Sequence, residues 1–135
     1  MAKLEVIKGI SSEHRTILRN ECAINSVSAL LKAGTTPAGR DAIAEMTGAE
    51  TSLVLEWLHQ ADLTRIKGIG REYVGLLNAV SIKTLSDLKR QSAEDLYVTM
   101  DSVNGNHCLV HRLPTLEMVI DWIEQANELS PTISE

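Results

Sequence analysis

Leu63-Thr64-Arg65-Ile66-Lys67-Gly68-Ile69-Gly70-Arg71-Glu72-Tyr73-Val74-Gly75-Leu76-Leu77 has a twin at the start of the chain, and the pair sets the architecture. Two glycines around one apolar residue, between two short amphipathic runs, suit a tight hairpin joining two helices. Glycine removes the steric cost of positive φ and leaves backbone N–H groups uncovered, so such a turn can hold a phosphate. Leu4-Glu5-Val6-Ile7-Lys8-Gly9-Ile10 lines up with Leu63-Thr64-Arg65-Ile66-Lys67-Gly68-Ile69, and the match continues through Glu13 with Glu72 and Leu18 with Leu77. After a one-residue deletion, Ile24, Ser26, Val27 and Leu30 correspond to Ile82, Thr84, Leu85 and Leu88. The ends agree as well: Leu55-Glu56-Trp57-Leu58-His59-Gln60-Ala61 resembles Ile120-Asp121-Trp122-Ile123-Glu124-Gln125-Ala126, the second half taking up extra residues around 100 to 113. This repeat predicts two related helical units, 1–61 and 62–129, each burying its apolar faces against the other, and a frayed tail over 130–135.

Composition supports an all-α chain. With 135 residues and 44% apolar side chains it is long enough for one core or two small packed lobes. Aromatics are 3% with no Phe, so Leu, Ile, Val and Ala must fill the interior, which favours packed helices. There is no apolar run of membrane-spanning length and no cleavable leader pattern, which predicts a cytoplasmic protein with no membrane partner. Two cysteines, Cys22 and Cys108, are too few for a disulfide framework. Their mostly apolar neighbours predict small core residues.

Charge is uneven along the chain. Residues 1–61 carry 6 basic and 7 acidic side chains, residues 62–90 carry 6 and 3, and residues 91–135 carry 1 and 8. A net charge of −5 argues against a dedicated nucleic-acid binder, yet the one basic segment holds the Gly68-Ile69-Gly70 turn. Its cations, Arg65, Lys67, Arg71, Lys83, Lys89 and Arg90, read as a solvated face or a weak anion-binding surface. The acidic third, with Asp95, Asp101, Glu117, Asp121, Glu124 and Glu128, reads as a solvated face.

Local signals place the helices. Ser11 or Ser12 and then Ser26 cap the first two, with Gly34 closing the second. Thr36-Pro37 starts a third that Gly48 ends. Thr51 or Ser52 opens a fourth, and Arg71 to Ala79 forms a helix after the turn. Thr84-Leu85-Ser86-Asp87 and Ser92-Ala93-Glu94-Asp95 read as capping boxes. Asn104-Gly105-Asn106 is expected to interrupt the helix that begins near Ser92. Pro114-Thr115 opens the last helix, which Ser130-Pro131 stops. Trp57 and Trp122, at equivalent ends of the units, are expected as core anchors between the units near their joint. His107, Cys108 and His111 are the one close group of metal-ligand types, and lack the fourth ligand of a structural zinc site. No cofactor, nucleophile or acid/base constellation is present in the pattern, which predicts a non-enzymatic chain.

The pattern Leu63-x-x-Ile66-x-Gly68-Ile69-Gly70-x-x-x-Val74-x-x-Leu77, followed by Ile82-x-Thr84-x-x-Asp87-Leu88, resembles the helix-hairpin-helix motif of polymerases, ligases and repair proteins. The larger pattern adds Thr36-Pro37-Ala38-Gly39-Arg40, the joint Trp57-Leu58-His59-Gln60-Ala61-Asp62-Leu63, and Arg112-Leu113-Pro114-Thr115-Leu116-Glu117 before Asp121-Trp122. It is similar to a bacterial family known as a domain of unknown function, number four-three-three-two. The resemblance implies an all-α, SAM-like body of two packed helix-hairpin-helix units and no established activity. It also implies that the hairpin amides of Gly68, Ile69, Gly70 and Arg71, supplemented by Lys67, meet the phosphates of a DNA or RNA backbone without reading sequence. Two departures stand out: Glu72 follows the hairpin, and the first copy reads Gly9-Ile10-Ser11 in place of Gly-x-Gly. The expected function is therefore a binding module that touches nucleic-acid backbone through the second hairpin. The competing expectation is a protein-interaction or scaffold module, with a protein partner or a second copy on the same turn.

Overall fold

The computed structural model describes residues 3–7, 9–107, 110, 112–130 and 133. Among them the chain is all-helical: a 3-10 helix Leu4–Val6, then α1 Ser12–Glu21, α2 Val27–Ala33, α3 Pro37–Thr47, α4 Thr51–Leu63, α5 Arg71–Ala79, α6 Leu85–Lys89, α7 Ala93–His107 and α8 Leu116–Glu128. Side-chain caps set most starts. Ser11 accepts from the His14 amide, Ser26 from Ala29, Thr36 from Gly39 and Thr115 from Met118, each satisfying one donor that a helix leaves without an internal partner. Thr84 and Asp87 close a full capping box on α6. At Ser92 the hydroxyl instead reaches the Glu94 carboxylate, 3.2 Å away.

Two hydrophobic clusters form the interior. The first runs from Leu4 to Ala61 and includes Leu18, Leu30, Ile43, Trp57 and Leu58. The second runs from Leu63 to Ala126 and includes Val74, Leu77, Leu88, Met100 and Trp122. Helix pairing repeats between them: α1 packs on α3, α2 on α4 and α3 on α4, as α5 packs on α7, α6 on α8 and α7 on α8. The halves meet where α5 touches the 3-10 helix and α4 touches α6.

The repeat extends to individual hydrogen bonds. Ile7 N–H donates to Leu4 at 3.0 Å and Ile66 N–H to Leu63 at 3.1 Å, and the N–H groups of Ile24 and Ile82 reach the carbonyls of Leu18 and Leu77, both at 2.8 Å. The same bend puts Ala23 and Ser81 at positive φ, 56° and 67°, without a glycine at either place.

Two expectations are corrected. Asn104-Gly105-Asn106 does not interrupt α7, which runs on to His107. The Asn104 side-chain carbonyl accepts from the Val110 amide at 2.9 Å. One glycine in an otherwise intact helix costs only about 1 kcal/mol. The tryptophans do not sit between the units: Trp57 and Trp122 are each fully enclosed in the cluster of their own half. The reason is that each indole packs against the hairpin glycine of that half, as described next.

Candidate phosphate-facing hairpin

The second hairpin begins where α4 ends. The Thr64 N–H donates to Gln60 and Ala61, Arg65 N–H to Asp62, Ile66 N–H to Leu63 and Ile69 N–H to Ile66, so the chain leaves the helix by a tightening staircase. Gly68 then takes φ +99°, a left-handed conformation that disfavours any side chain, and Gly9 takes φ +93° in the first hairpin. Beneath each glycine lies the tryptophan of the same half. A Cβ on Gly68 would stand 3.0 Å from Trp122 Nε1, and one on Gly9 would stand 3.6 Å from Trp57 Nε1. Each indole also meets a ring one turn into the following helix: His14 lies 5.3 Å from Trp57 and Tyr73 5.2 Å from Trp122, centroid to centroid, tilted by 56° and 53°. His14 and Tyr73 occupy equivalent positions of the repeat.

A third restraint acts on the second hairpin from α8. Gln125 grips the Lys67 peptide from both sides: its Oε1 accepts from Lys67 N–H at 2.8 Å, and its Nε2 donates to the Lys67 carbonyl at 3.1 Å. Nε2 also donates to Asp121 at 2.8 Å. Sequence reasoning did not single out Gln125, although Gln60 holds the matching place in the first half.

The two hairpins differ in how the next helix starts. In the first, Ser11 accepts from the His14 amide at 3.2 Å and so closes the N-terminus of α1. In the second, Gly70 has no side chain to offer, and α5 begins without a side-chain cap. Helix N-termini carry partial positive charge and unpaired N–H groups, so the uncapped end is the one able to receive an anion.

Of the residues expected at the site, Lys67, Gly68, Gly70 and Arg71 are exposed together on this turn. Ile69 differs: its side chain is buried in the second cluster and its amide is engaged by Ile66 within the turn. The wider basic segment divides in two. Arg65 donates to Asp62 and to the Ser130 carbonyl, both at 2.8 Å, Lys89 donates to the Leu129 carbonyl at 3.0 Å, and Arg90 pairs with Asp87 at 2.8 Å. Lys67, Arg71 and Lys83 are exposed and have no ion pair among the described residues. Acidic groups share the neighbourhood: Glu72 is exposed in the first turn of α5, and a shallow pocket beside Lys67 is lined by Asp121, Gln125 and Glu128.

The remaining candidates separate clearly. Asp95, Asp101, Glu117, Asp121, Glu124 and Glu128 are all exposed. Cys22 is half-buried against the first cluster, and burial together with neighbouring Glu21 pushes its thiol above the ordinary value, which keeps it protonated. Cys108 and His111 lie outside the described residues, as do the side chain of His107 and the contact of Cys108 with anything else. Among the described residues no three His, Cys, Asp or Glu side chains gather as metal ligands, and no helix is long and apolar enough to cross a membrane.

No curated protein and no solved structure matches the chain. A family model does, across residues 8–129, which takes in both hairpins, both tryptophans and Gln125. The chain therefore belongs to the family described as a domain of unknown function, DUF4332.

Proposed function

We propose that the chain is a non-enzymatic binding module built of two helix-hairpin-helix units, and that its second hairpin binds the sugar-phosphate backbone of nucleic acid without reading sequence. One observation carries this reading: α1 is closed by the Ser11 side chain, whereas α5, at the equivalent place of the repeat, begins uncapped between the exposed cations Lys67 and Arg71. A phosphate there would accept from backbone N–H groups at a helix N-terminus, with the two side chains adding charge. The chain's negative total and the carboxylates of Glu72, Asp121 and Glu128 make this a weak, salt-sensitive interaction.

The test is fluorescence anisotropy with labelled single-stranded and duplex oligonucleotides of unrelated sequence. Dissociation constants of about 10⁻⁴ to 10⁻⁶ M are expected at physiological salt, with steeply tighter binding as salt is lowered. Lys67→Glu with Arg71→Glu should abolish binding while leaving the helical circular dichroism intact. Absence of binding at low salt would overturn the reading and leave the scaffold alternative, for which sedimentation of the purified chain would have to reveal a stable second copy or a co-purifying protein.

A further inference from the structure

Along α2 lies a groove of about 550 Å³ whose lining comes from both halves, from residues 26–35 of the first and from Arg65 of the second. Its size is that of a small-molecule site. Ala29 and Leu31 give it an apolar part, and Ser26, Ser28, Lys32 and Arg65 give it hydrogen-bond donors. No carboxylate lines it among the described residues. The neighbouring grooves differ: one contains Glu56 and Asp87, a second Asp62 and Asp87, and a third Asp121 and Glu128.

The donors of the α2 groove are largely uncommitted. Lys32 is exposed and has no ion pair among the described residues. Ser26 Oγ accepts from the Ala29 amide at 3.2 Å, which leaves its own hydrogen to donate. Arg65 is held in place through one nitrogen, because Nη1 reaches both Asp62 and the Ser130 carbonyl at 2.8 Å. Its Nη2 and Nε have no partner among the described residues. Asp62 is buried and does not line this groove, so it fixes the guanidinium from behind and offsets part of its charge. Lys32 is therefore the main charge of the groove, and Arg65 contributes fixed donors.

The other half shows what such a set of side chains takes. Ser26, Ser28, Ala29 and Lys32 align with Thr84, Ser86, Asp87 and Arg90, and those four line the groove beside α6. There the Asp87 carboxylate pairs with Arg90 at 2.8 Å. In the first half the aligned residue is Ala29, whose methyl group offers Lys32 no partner. The second half thus answers its cation from within the chain, and the first half does not.

We propose that the groove along α2 binds the carboxylate of a small aliphatic acid, which takes the part that Asp87 plays beside α6. Lys32 supplies the charge, Arg65 and the serine hydroxyls supply directed donors, and Ala29 with Leu31 receives the hydrocarbon. The site is separate from the second hairpin and does not rest on the nucleic-acid reading, because it uses none of residues 67–71. Exposed charge pairs are weak one at a time, so the affinity is low and the match of charge to apolar lining gives the selectivity.

The test titrates butyrate into the isotopically labelled protein at constant ionic strength, with chloride as the balancing anion. Saturable shifts of the Ser28, Ala29 and Lys32 amides and of the Arg65 Nε–H resonance are expected, with a Kd of about 1 to 10 mM. Absent or non-saturating shifts overturn the site. Ala29→Asp supplies the carboxylate from within and should weaken butyrate about tenfold, whereas the neutral Ala29→Asn, of the same size, should stay within about twofold of the parent. Undiminished binding by Ala29→Asp overturns the location, and equal loss in both variants overturns the charge match. Lys32→Met should weaken binding about threefold to fivefold; an unchanged Kd overturns the role of Lys32. The amide spectrum of each variant without butyrate verifies its fold. Lys67→Glu with Arg71→Glu should leave butyrate binding as it is, and its loss there would overturn a site separate from the hairpin.

Discussion

The hairpin at Gly9 and the hairpin at Gly68 share a left-handed glycine and differ in chemistry. Both place a glycine at a φ near +95°, both rest it on an indole, and both enter through the same short-range carbonyl contacts. They part at two side chains. Ser11 caps α1 where Gly70 leaves α5 open, and His14 stands where Tyr73 does. The comparison separates two demands on one motif: the left-handed glycine over a tryptophan builds the unit, whereas the residue two places later decides whether the helix end is occupied by the protein itself. The two halves thus keep the same turn glycine while only α5 starts without a side-chain cap.

The largest test of the structural half of this comparison removes the indoles. Trp57→Ala and Trp122→Ala should each cost about 3 to 5 kcal/mol, the range for emptying a buried aromatic site. If the two clusters are separate supports, amide hydrogen exchange should accelerate first within residues 4–61 for Trp57→Ala and within 63–126 for Trp122→Ala. Uniform acceleration over both halves would break the comparison by revealing one shared core.

A smaller effect sharpens the role of the glycines. Gly9→Ala and Gly68→Ala should each lose about 1 to 2 kcal/mol from forcing an L-residue into left-handed backbone. Gly68→Ala should lose more, because its Cβ meets Trp122 Nε1 at 3.0 Å whereas Gly9 has ordinary clearance at 3.6 Å. Urea denaturation of the pair measures the difference, and an equal cost would show that Trp122 yields freely. Trp122 lies fully buried beside Tyr73, so little room for such yielding exists.

How much of this was legible in the sequence follows from the distance over which each feature is determined. The glycines at positive φ, Gly9 and Gly68, and the caps at Ser11, Ser26, Thr36, Thr84 and Thr115 are local patterns, and they stand where the residues indicated. The course of α7 through Asn104-Gly105-Asn106 was misjudged because a propensity of about 1 kcal/mol yields to its surroundings. The equivalence of Trp57 and Trp122 could be read, but not the face each presents, which depends on how α4 and α8 cross their own hairpins. Least legible were the tertiary partners of the cations and amides. The clamp of Gln125 on Lys67 spans 58 positions and the contact of Arg65 with Ser130 spans 65, and no periodicity announces either. Six basic residues in 62–90 therefore looked like one surface, when three of them are occupied by a carboxylate or a carbonyl of the protein.

Exchanging the residues that separate the hairpins tests the functional half. Gly70→Ser should cap α5 and raise stability by a few tenths of a kcal/mol, while oligonucleotide binding falls; Ser11→Gly should lower stability by about the same amount. If Ser11→Gly also adds a second weak phosphate contact, the salt slope steepens by about 0.7 to 0.9. A Gly70→Ser protein that binds as tightly as its parent would break the link between the open helix end and the ligand.

The smallest difference lies one helix further on and is read by pH. Ser26 and Thr84 are equivalent caps, but three residues later the first half has Ala29 and the second has Asp87. Partial burial pushes the Asp87 carboxyl up; against it, the amides of Lys83 and Thr84, the Thr84 hydroxyl and the Arg90 guanidinium together hold it below the ordinary aspartate value. A carboxyl whose folded pKa is depressed binds its proton more readily in the unfolded chain. Its stabilisation is therefore present above the unfolded value near pH 4 and is lost as pH falls through the lower folded value. The start of α6 should weaken in that acidic window while the start of α2, with no carboxylate in its cap, does not. Amide shifts of Asp87 and Ala29 followed down to pH 2.5 would show the contrast, with only the Asp87 amide moving through the window. Asp87→Asn should flatten this part of the stability profile. If the profile of Asp87→Asn below pH 4 keeps the parent slope, the carboxylate contributes nothing to the second cap that the Ser26 cap lacks.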